Sequence, residues 1–245
     1  MYRVRRFNRQ PTDLPKPYLI FNPHSLEPLI PTEDGTLNGI FIDPGIKNFA
    51  IRIVNYDPTT YNCTTITQNK IDLTTYSSQL NYVCKNIVSE DNEYKSDTEY
   101  FNNLSKFLKE IEHLLVPAHY IVIESQVSWN YDMVRLSQHL ITYLMTSLKD
   151  VGNRPLIIEL SSKVKTRKLG AVGKMDKRQT KQWCIKKAKE IMTDRNDRVM
   201  LDILNKKGKC DDHSDVICME YAWWLILEDG FNKPPVPKSK SKFIY

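Results

Sequence analysis

Two apolar runs separated by one tight break constrain this chain more than any other feature. Gly39-Ile40-Phe41-Ile42 ends in the carboxylate of Asp43, breaks at Pro44-Gly45, and is followed by Phe49-Ala50-Ile51-Arg52-Ile53-Val54. Short runs rich in β-branched and aromatic residues form strands, and Pro-Gly between them turns the chain. The turn Asp57-Pro58-Thr59-Thr60 leads to a third run, so an antiparallel meander is predicted with strands near 38–43, 48–56 and 61–72. A carboxylate at the end of a strand is well placed for chemistry, although Asp-Pro-Gly is equally an ordinary turn.

Downstream the period changes. Phe101, Leu104, Phe107, Leu108, Ile111 and Leu115 recur at helical spacing. Tyr120-Ile121-Val122-Ile123-Glu124 reads as a buried strand ending in a second carboxylate. A helix over 130–149 carries Met133, Leu136, Leu140, Ile141, Leu144 and Leu148 on one face, and 155–160 is a fifth strand. A basic, Gly-containing loop over 161–175 then precedes helices at about 177–193 and from Asp211 to about Leu227. Meander strands followed by strands alternating with helices imply an α/β mixed sheet.

Three segments follow from this pattern. Residues 1–37 hold Pro11, Pro15, Pro17, Pro23, Pro28 and Pro31 and read as an arm, residues 38–228 as the domain, and 229–245 as a Pro/Lys-rich tail. Residues 85–98 form an acidic loop within the domain. No apolar run approaches the roughly 18 residues of a membrane span. The five cysteines form no CxxC pair, which disfavours both a disulfide framework and a zinc site and points to a reducing, intracellular compartment. The basic start Met1-Tyr2-Arg3-Val4-Arg5-Arg6 lacks an apolar signal core, while the absence of acids before Asp13 keeps a mitochondrial presequence as a second option.

The acids suggest chemistry. Parallel pairing of their strands would bring Asp43 and Glu124 to one sheet edge. A third acidic element, Cys210-Asp211-Asp212-His213-Ser214-Asp215, opens the last helix. Asp212 and Asp215 share a helix face, as do Asp211 and Asp215, and periodicity does not choose between the pairs. Acids suit a helix N-terminus on dipole grounds alone. Yet the residues that follow are apolar nearly all round, so the helix is largely buried, and carboxylates clustered at its start repel one another unless a cation neutralises them. Hard oxygen donors suit Mg2+ or Mn2+, and two such ions would support phosphodiester hydrolysis. His213 reads as a surface histidine beside acids rather than a proton relay.

Charge supplies the second half. From Lys163 to Lys189 there are eleven basic residues against one acid, Asp176, in 27 positions, whereas a solvated helix face usually mixes both signs. With a net charge of +6, the chain suits a polyanion, and phosphate backbones reward such a run through counterion release. Lys163, Lys165, Arg167, Lys168, Lys174, Lys177, Arg178 and Lys181 are the candidate DNA contacts, with Gln126 beside the second carboxylate.

The ordered motifs Ile42-Asp43-Pro44-Gly45, Ile123-Glu124-Ser125-Gln126, Val164-Lys165, Lys177-Arg178-Gln179 and Asp212-His213-Ser214-Asp215 resemble those of RuvC-type Holliday junction resolvases, the poxvirus and fungal mitochondrial branch in particular. The resemblance covers about 38–228. It implies an RNase H-like fold, a homodimer, and Mg2+-dependent paired nicking of four-way DNA. It also implies that Asp43, Glu124, Asp212 and Asp215 hold two Mg2+ or Mn2+ ions, with Lys165 at the scissile phosphate. Lys163 and Lys168 could each replace Lys165. A large DNA virus, acting in a cytoplasmic viral factory, is the first source it suggests, and a mitochondrion the second. Competing readings are a transposon-type RuvC-like nuclease, whose Cys-pair zinc insert is missing here, ribonuclease H, and a non-catalytic junction binder.

Overall fold

A computed structural model describes residues 20–21, 28–29, 32–76, 98–151, 155–206 and 210–232, with side chains to 228 in the last segment. Most of the expected arm, most of the acidic loop and most of the tail lie outside the described residues. Within the arm, β1 (Ile20–Phe21) pairs antiparallel with β2 (Pro28–Leu29).

The five-stranded sheet begins with the predicted meander. β3 (Leu37–Asp43), β4 (Phe49–Asp57) and β5 (Asn62–Ile71) pair antiparallel in sequence. β6 (Tyr120–Glu124) then lies parallel to β3, and β7 (Leu156–Leu160) parallel to β6. The order is β5-β4-β3-β6-β7, so the mixed sheet has its parallel strands on one side and the meander on the other.

Strand alternation sorts the side chains into two cores. Ile40, Ile42, Phe49, Ile51, Ile53, Ile121 and Ile123 pack against α1 (Thr98–Glu110) and α3 (Tyr131–Ser147). The alternate residues Phe41, Ala50, Val54, Tyr56, Tyr120 and Val122 pack against Val216, Met219, Trp223 and Trp224 of α7 (Asp211–Asn232). A third cluster joins α5 (Lys177–Asp194) and α6 (Arg198–Asn205) to the outer face of α7. Because the period is two, Asp43 and Glu124 extend the Phe41 and Val122 set and belong to the α7 face.

Several expectations need correction. The helix expected through 101–115 breaks at Ile111, and a four-residue helix, α2 (Glu112–Leu115), follows. The 161–175 loop contains α4 (Ser162–Lys168), seated by Val164 and by Leu169 just past its end, which pack into two different core clusters. No helix was expected over 198–205, although Asp197 caps it by accepting from Met200 N at 3.0 Å, and Met200 and Leu204 share its buried face. α7 runs on to Asn232, past the expected end near Leu227. The apolar face of α3 is covered by the chain itself: Leu136, Leu140 and Leu144, with Leu148 just past the helix end, are buried in the core under the sheet. No helix among the described residues is long and apolar enough to cross a membrane.

Candidate active site

Strand register places the first two acids. Ile42 pairs with Ile123 in the parallel ladder, so Asp43 and Glu124, one residue further on, close adjacent strands on the same face. The acidic first turn of α7 supplies Asp212 and Asp215. α4 delivers Lys165, which at 4% exposure is the one buried lysine among the described residues. Lys163 is exposed and Lys168 half-buried, so of the three candidate lysines only Lys165 enters the acidic cluster.

The Lys165 ammonium bridges two elements, standing 2.7 Å from Glu124 Oε2 and 2.6 Å from Asp215 Oδ1. Burial would favour the neutral amine, but Glu124, Asp215 and Asp43 hold its proton well above the usual lysine range. Burial and then Glu124 push the Asp43 carboxyl well above the usual carboxylate range, with Asp215 and Asp212 adding to the push and Lys165 opposing it. Glu124 is raised by burial and Asp215, against the pull of Lys165. Asp212 is raised by burial and by Asp211, against Lys70 and Lys181. Burial and mutual repulsion thus keep Asp43, Glu124 and Asp212 raised in spite of the nearby lysines.

Asp211 and Asp212 differ in partner. Asp211 is ion-paired with Lys181 of α5, which raises the lysine. Lys70 Nζ of β5 lies 3.5 Å from Asp212 Oδ2, and that buried oxygen has no hydrogen-bond partner. Lys70 was not foreseen as a site residue. Its signal was alternation along β5, blurred because a bulge opposite Ile53 and Val54 resets the strand's facing. His213 is half-buried, not a surface residue: Gln68 Nε2 is 3.0 Å from its Nδ1 and donates to its carbonyl oxygen at 3.1 Å. Burial, then Lys70, lowers its basicity.

The donor set fits a hard divalent cation, being four carboxylates of which one has a buried oxygen without a hydrogen bond. Glu124 and Asp215 turn to Lys165, and among the described residues no three acidic, histidine or cysteine side chains are gathered around one ion position. Gln126 turns back on its own strand, donating from Nε2 to the Glu124 carbonyl at 3.0 Å.

The remaining basic candidates surround this cluster unevenly. Lys163, Arg167, Lys174, Lys177, Arg178 and Lys181 are exposed. Lys177, Arg178 and Lys181 line a depression of about 470 Å³ with Gln182, Ile185, Cys210 and Asp211, at the start of α5 and α7. Asp176 caps α5 by accepting from Gln179 N at 2.8 Å, while Gln179 Oε1 accepts from the Asp176 backbone N–H at 2.9 Å. Trp129 and Tyr131, just beyond β6, are 84% and 68% exposed, whereas Trp183 packs against the α5–α7 core.

Comparison with known proteins agrees with this architecture. No family model matches the chain. Over 153 residues it is 33% identical to uncharacterized protein 170L of Invertebrate iridescent virus 6, and over 102 residues 33% identical to uncharacterized protein 97L of Invertebrate iridescent virus 3. These matches cover 55% and 42% of the chain and only 62% and 46% of the relatives' own length. Among solved structures, the yeast mitochondrial Holliday junction resolvase superposes with a TM-score of 0.52 at 17% identity, covering 83% of this chain and 86% of that one. RuvC of Thermus thermophilus gives 0.51 at 10% identity, with coverages of 79% and 97%. The Fowlpox virus resolvase, solved with Holliday junction DNA, gives 0.50 at 18% identity, with coverages of 78% and 99%. Strand order, helix placement and these likenesses together give the chain the RNase H-like fold of the RuvC-type resolvases.

Proposed function

We propose that this chain is a metal-dependent, structure-selective DNA endonuclease that resolves four-way junctions by paired symmetric nicks. The observation that carries the reading is the meeting of Asp43, Glu124, Asp212, Asp215 and Lys165, drawn from β3, β6, α7 and α4, on one face of a RuvC-like sheet. Residues 38–228 form the nuclease domain in this reading, flanked by the arm 1–37 and the tail 229–245.

Asp43, Glu124, Asp212 and Asp215 would hold two ions, Mg2+ or Mn2+. When bound, these supply Lewis acidity for phosphodiester hydrolysis and balance the charge that four clustered carboxylates leave uncompensated. The other roles belong to the chain. Lys165 presents a point charge to the scissile phosphate, where negative charge builds up during displacement. Lys163, Arg167, Lys168, Lys174, Lys177, Arg178 and Lys181 bind DNA backbone. These contacts orient the junction without reading bases. Gln126 stands next to the catalytic strand end, and the exposed rings of Trp129 and Tyr131 are placed to stack on unpaired bases.

Two cuts related by symmetry require two sites, so the working form is a homodimer. Likeness to iridescent virus proteins and to a mitochondrial resolvase supports a viral factory in host cytoplasm first and a mitochondrion second. The direct test is incubation with a synthetic four-way DNA and with linear duplex of the same sequence, with and without Mg2+. Cleavage of the junction alone, only with the metal, supports the reading. Binding of the junction with no cleavage under any divalent cation would favour a non-catalytic binder instead.

A further inference from the structure

Lys165 is placed unlike a lysine that simply waits for substrate. Its ammonium is bound at 2.7 Å and 2.6 Å by Glu124 and Asp215, and the lysine and glutamate side chains are 5% and 16% exposed, with the aspartate at 19%. An ammonium carries three donors, and two are committed here to acids required by the nuclease reading. A Mg2+ ion would seek those carboxylates at about 2.0–2.1 Å. A carboxylate oxygen already engaged by an ammonium is a poor ligand. A second cation in so dry a site also meets strong repulsion from the first. Neighbouring cations are less committed: Lys181 is paired with Asp211, outside the four acids, and Lys70 stands at 3.5 Å from the single acid Asp212, whereas Lys165 bridges two of the four at hydrogen-bond distance.

We propose that Lys165 is an internal counter-cation that competes with the divalent ion for Glu124 and Asp215, so that ion binding frees its ammonium for the phosphate of bound DNA. This rests on the metal-dependent reading above and adds an order of events to it. Before the ion arrives, the ammonium keeps the acids of β6 and α7 from repelling each other. Afterwards the same charge is available where the scissile phosphate lies. The lysine is thus held back until the ion is in place, which ties phosphate stabilisation to a loaded site.

The test measures Mn2+ affinity without DNA, from the electron paramagnetic resonance signal of free Mn2+. It compares the intact chain with Lys165→Met and Lys181→Met. Competition predicts that Lys165→Met binds Mn2+ at least tenfold more tightly than the unaltered protein, while Lys181→Met, which also removes one positive charge beside the acids, changes affinity by less than threefold. Equal tightening in both variants would reduce the effect to net charge, and unchanged or weaker binding in Lys165→Met would contradict competition outright. If none of the three proteins binds Mn2+, the metal reading itself fails and the competition with it.

A second arm uses only the unaltered protein and decides the matter if Lys165→Met does not fold. Amine acetylation read by peptide mass spectrometry should label Lys165 several-fold faster with saturating Mg2+ than without, with Lys177 labelling at a constant rate. A Lys165 rate that ignores Mg2+ overturns the proposal.

Discussion

Arg52 Nε donates to Glu220 Oε2 at 3.2 Å in the seam between β4 and α7, and both side chains are fully buried. Arg195 donates to the same carboxylate from Nη1 at 2.7 Å and Nη2 at 2.9 Å. Arg52 spends its other donors on Gln68 Oε1 and Thr65 Oγ1, at 2.6 and 2.9 Å. Gln68 in turn donates to the His213 carbonyl, so the network ties the acidic end of α7 to the meander strands.

Removing the shared acid should therefore cost stability. Glu220→Gln strands two guanidiniums in the interior, a loss of about 3–5 kcal/mol by urea unfolding at neutral pH. The pH dependence follows from the direction of the shift. Burial favours neutral Glu220, but Arg195 and Arg52 win and hold the carboxyl below its ordinary 4.5. Its contribution is complete above 4.5 and fades as pH falls through the lowered folded value. The stability gap between the unaltered protein and Glu220→Gln should narrow only in that acidic window.

Gly39 is a second sensitive point in the α7 seam. A Cβ there would stand 2.8 Å from Trp224 Cζ2, and that indole is stacked on Tyr56 at 4.2 Å between ring centres and cannot retreat freely. Gly39→Ala should cost about 1–3 kcal/mol by overpacking. Thermal or urea unfolding checks this.

DNA affinity should depend on salt through the exposed basic residues. Lys177→Ala and Arg178→Ala should each weaken binding of junctions of unrelated sequence alike. Each should also reduce the slope of log affinity against log salt by about 0.9 for a lost phosphate contact. Fluorescence anisotropy from low to moderate salt measures both.

Lys165→Ala should lower the single-turnover rate on a bound junction by about a hundredfold or more, in line with loss of one preorganised donor at a developing charge. Affinity for the junction measured without a divalent ion should change little, because the side chain is then buried among acids.

How much of this was legible in the sequence depends on the range of the interaction. Asp43 and Glu124 were readable because a strand's period of two and a strand-terminal position are local properties. Asp212 and Asp215 could not be separated from Asp211 by spacing; the fold separates them, since Asp211 faces Lys181. Lys165 was one of three lysines in a charged stretch, and only the seating of α4 by Val164 and Leu169 buries it. That helix is seven residues with a single apolar side chain, so it read as a loop. Arg52 lay unremarked in an apolar strand because its partner is 168 residues away, a pairing that no periodic pattern announces.

The central claim is that the carboxylates brought together by β3, β6 and α7 perform metal-dependent cleavage. The most direct measurement maps cuts on an end-labelled four-way junction in Mg2+ for the unaltered protein, Asp43→Asn, Glu124→Gln and Asp215→Asn, with binding followed in parallel. The account predicts paired, symmetric nicks by the unaltered protein and background cleavage by all three variants, which still bind the junction. Cleavage near the unaltered rate in the three variants would contradict it.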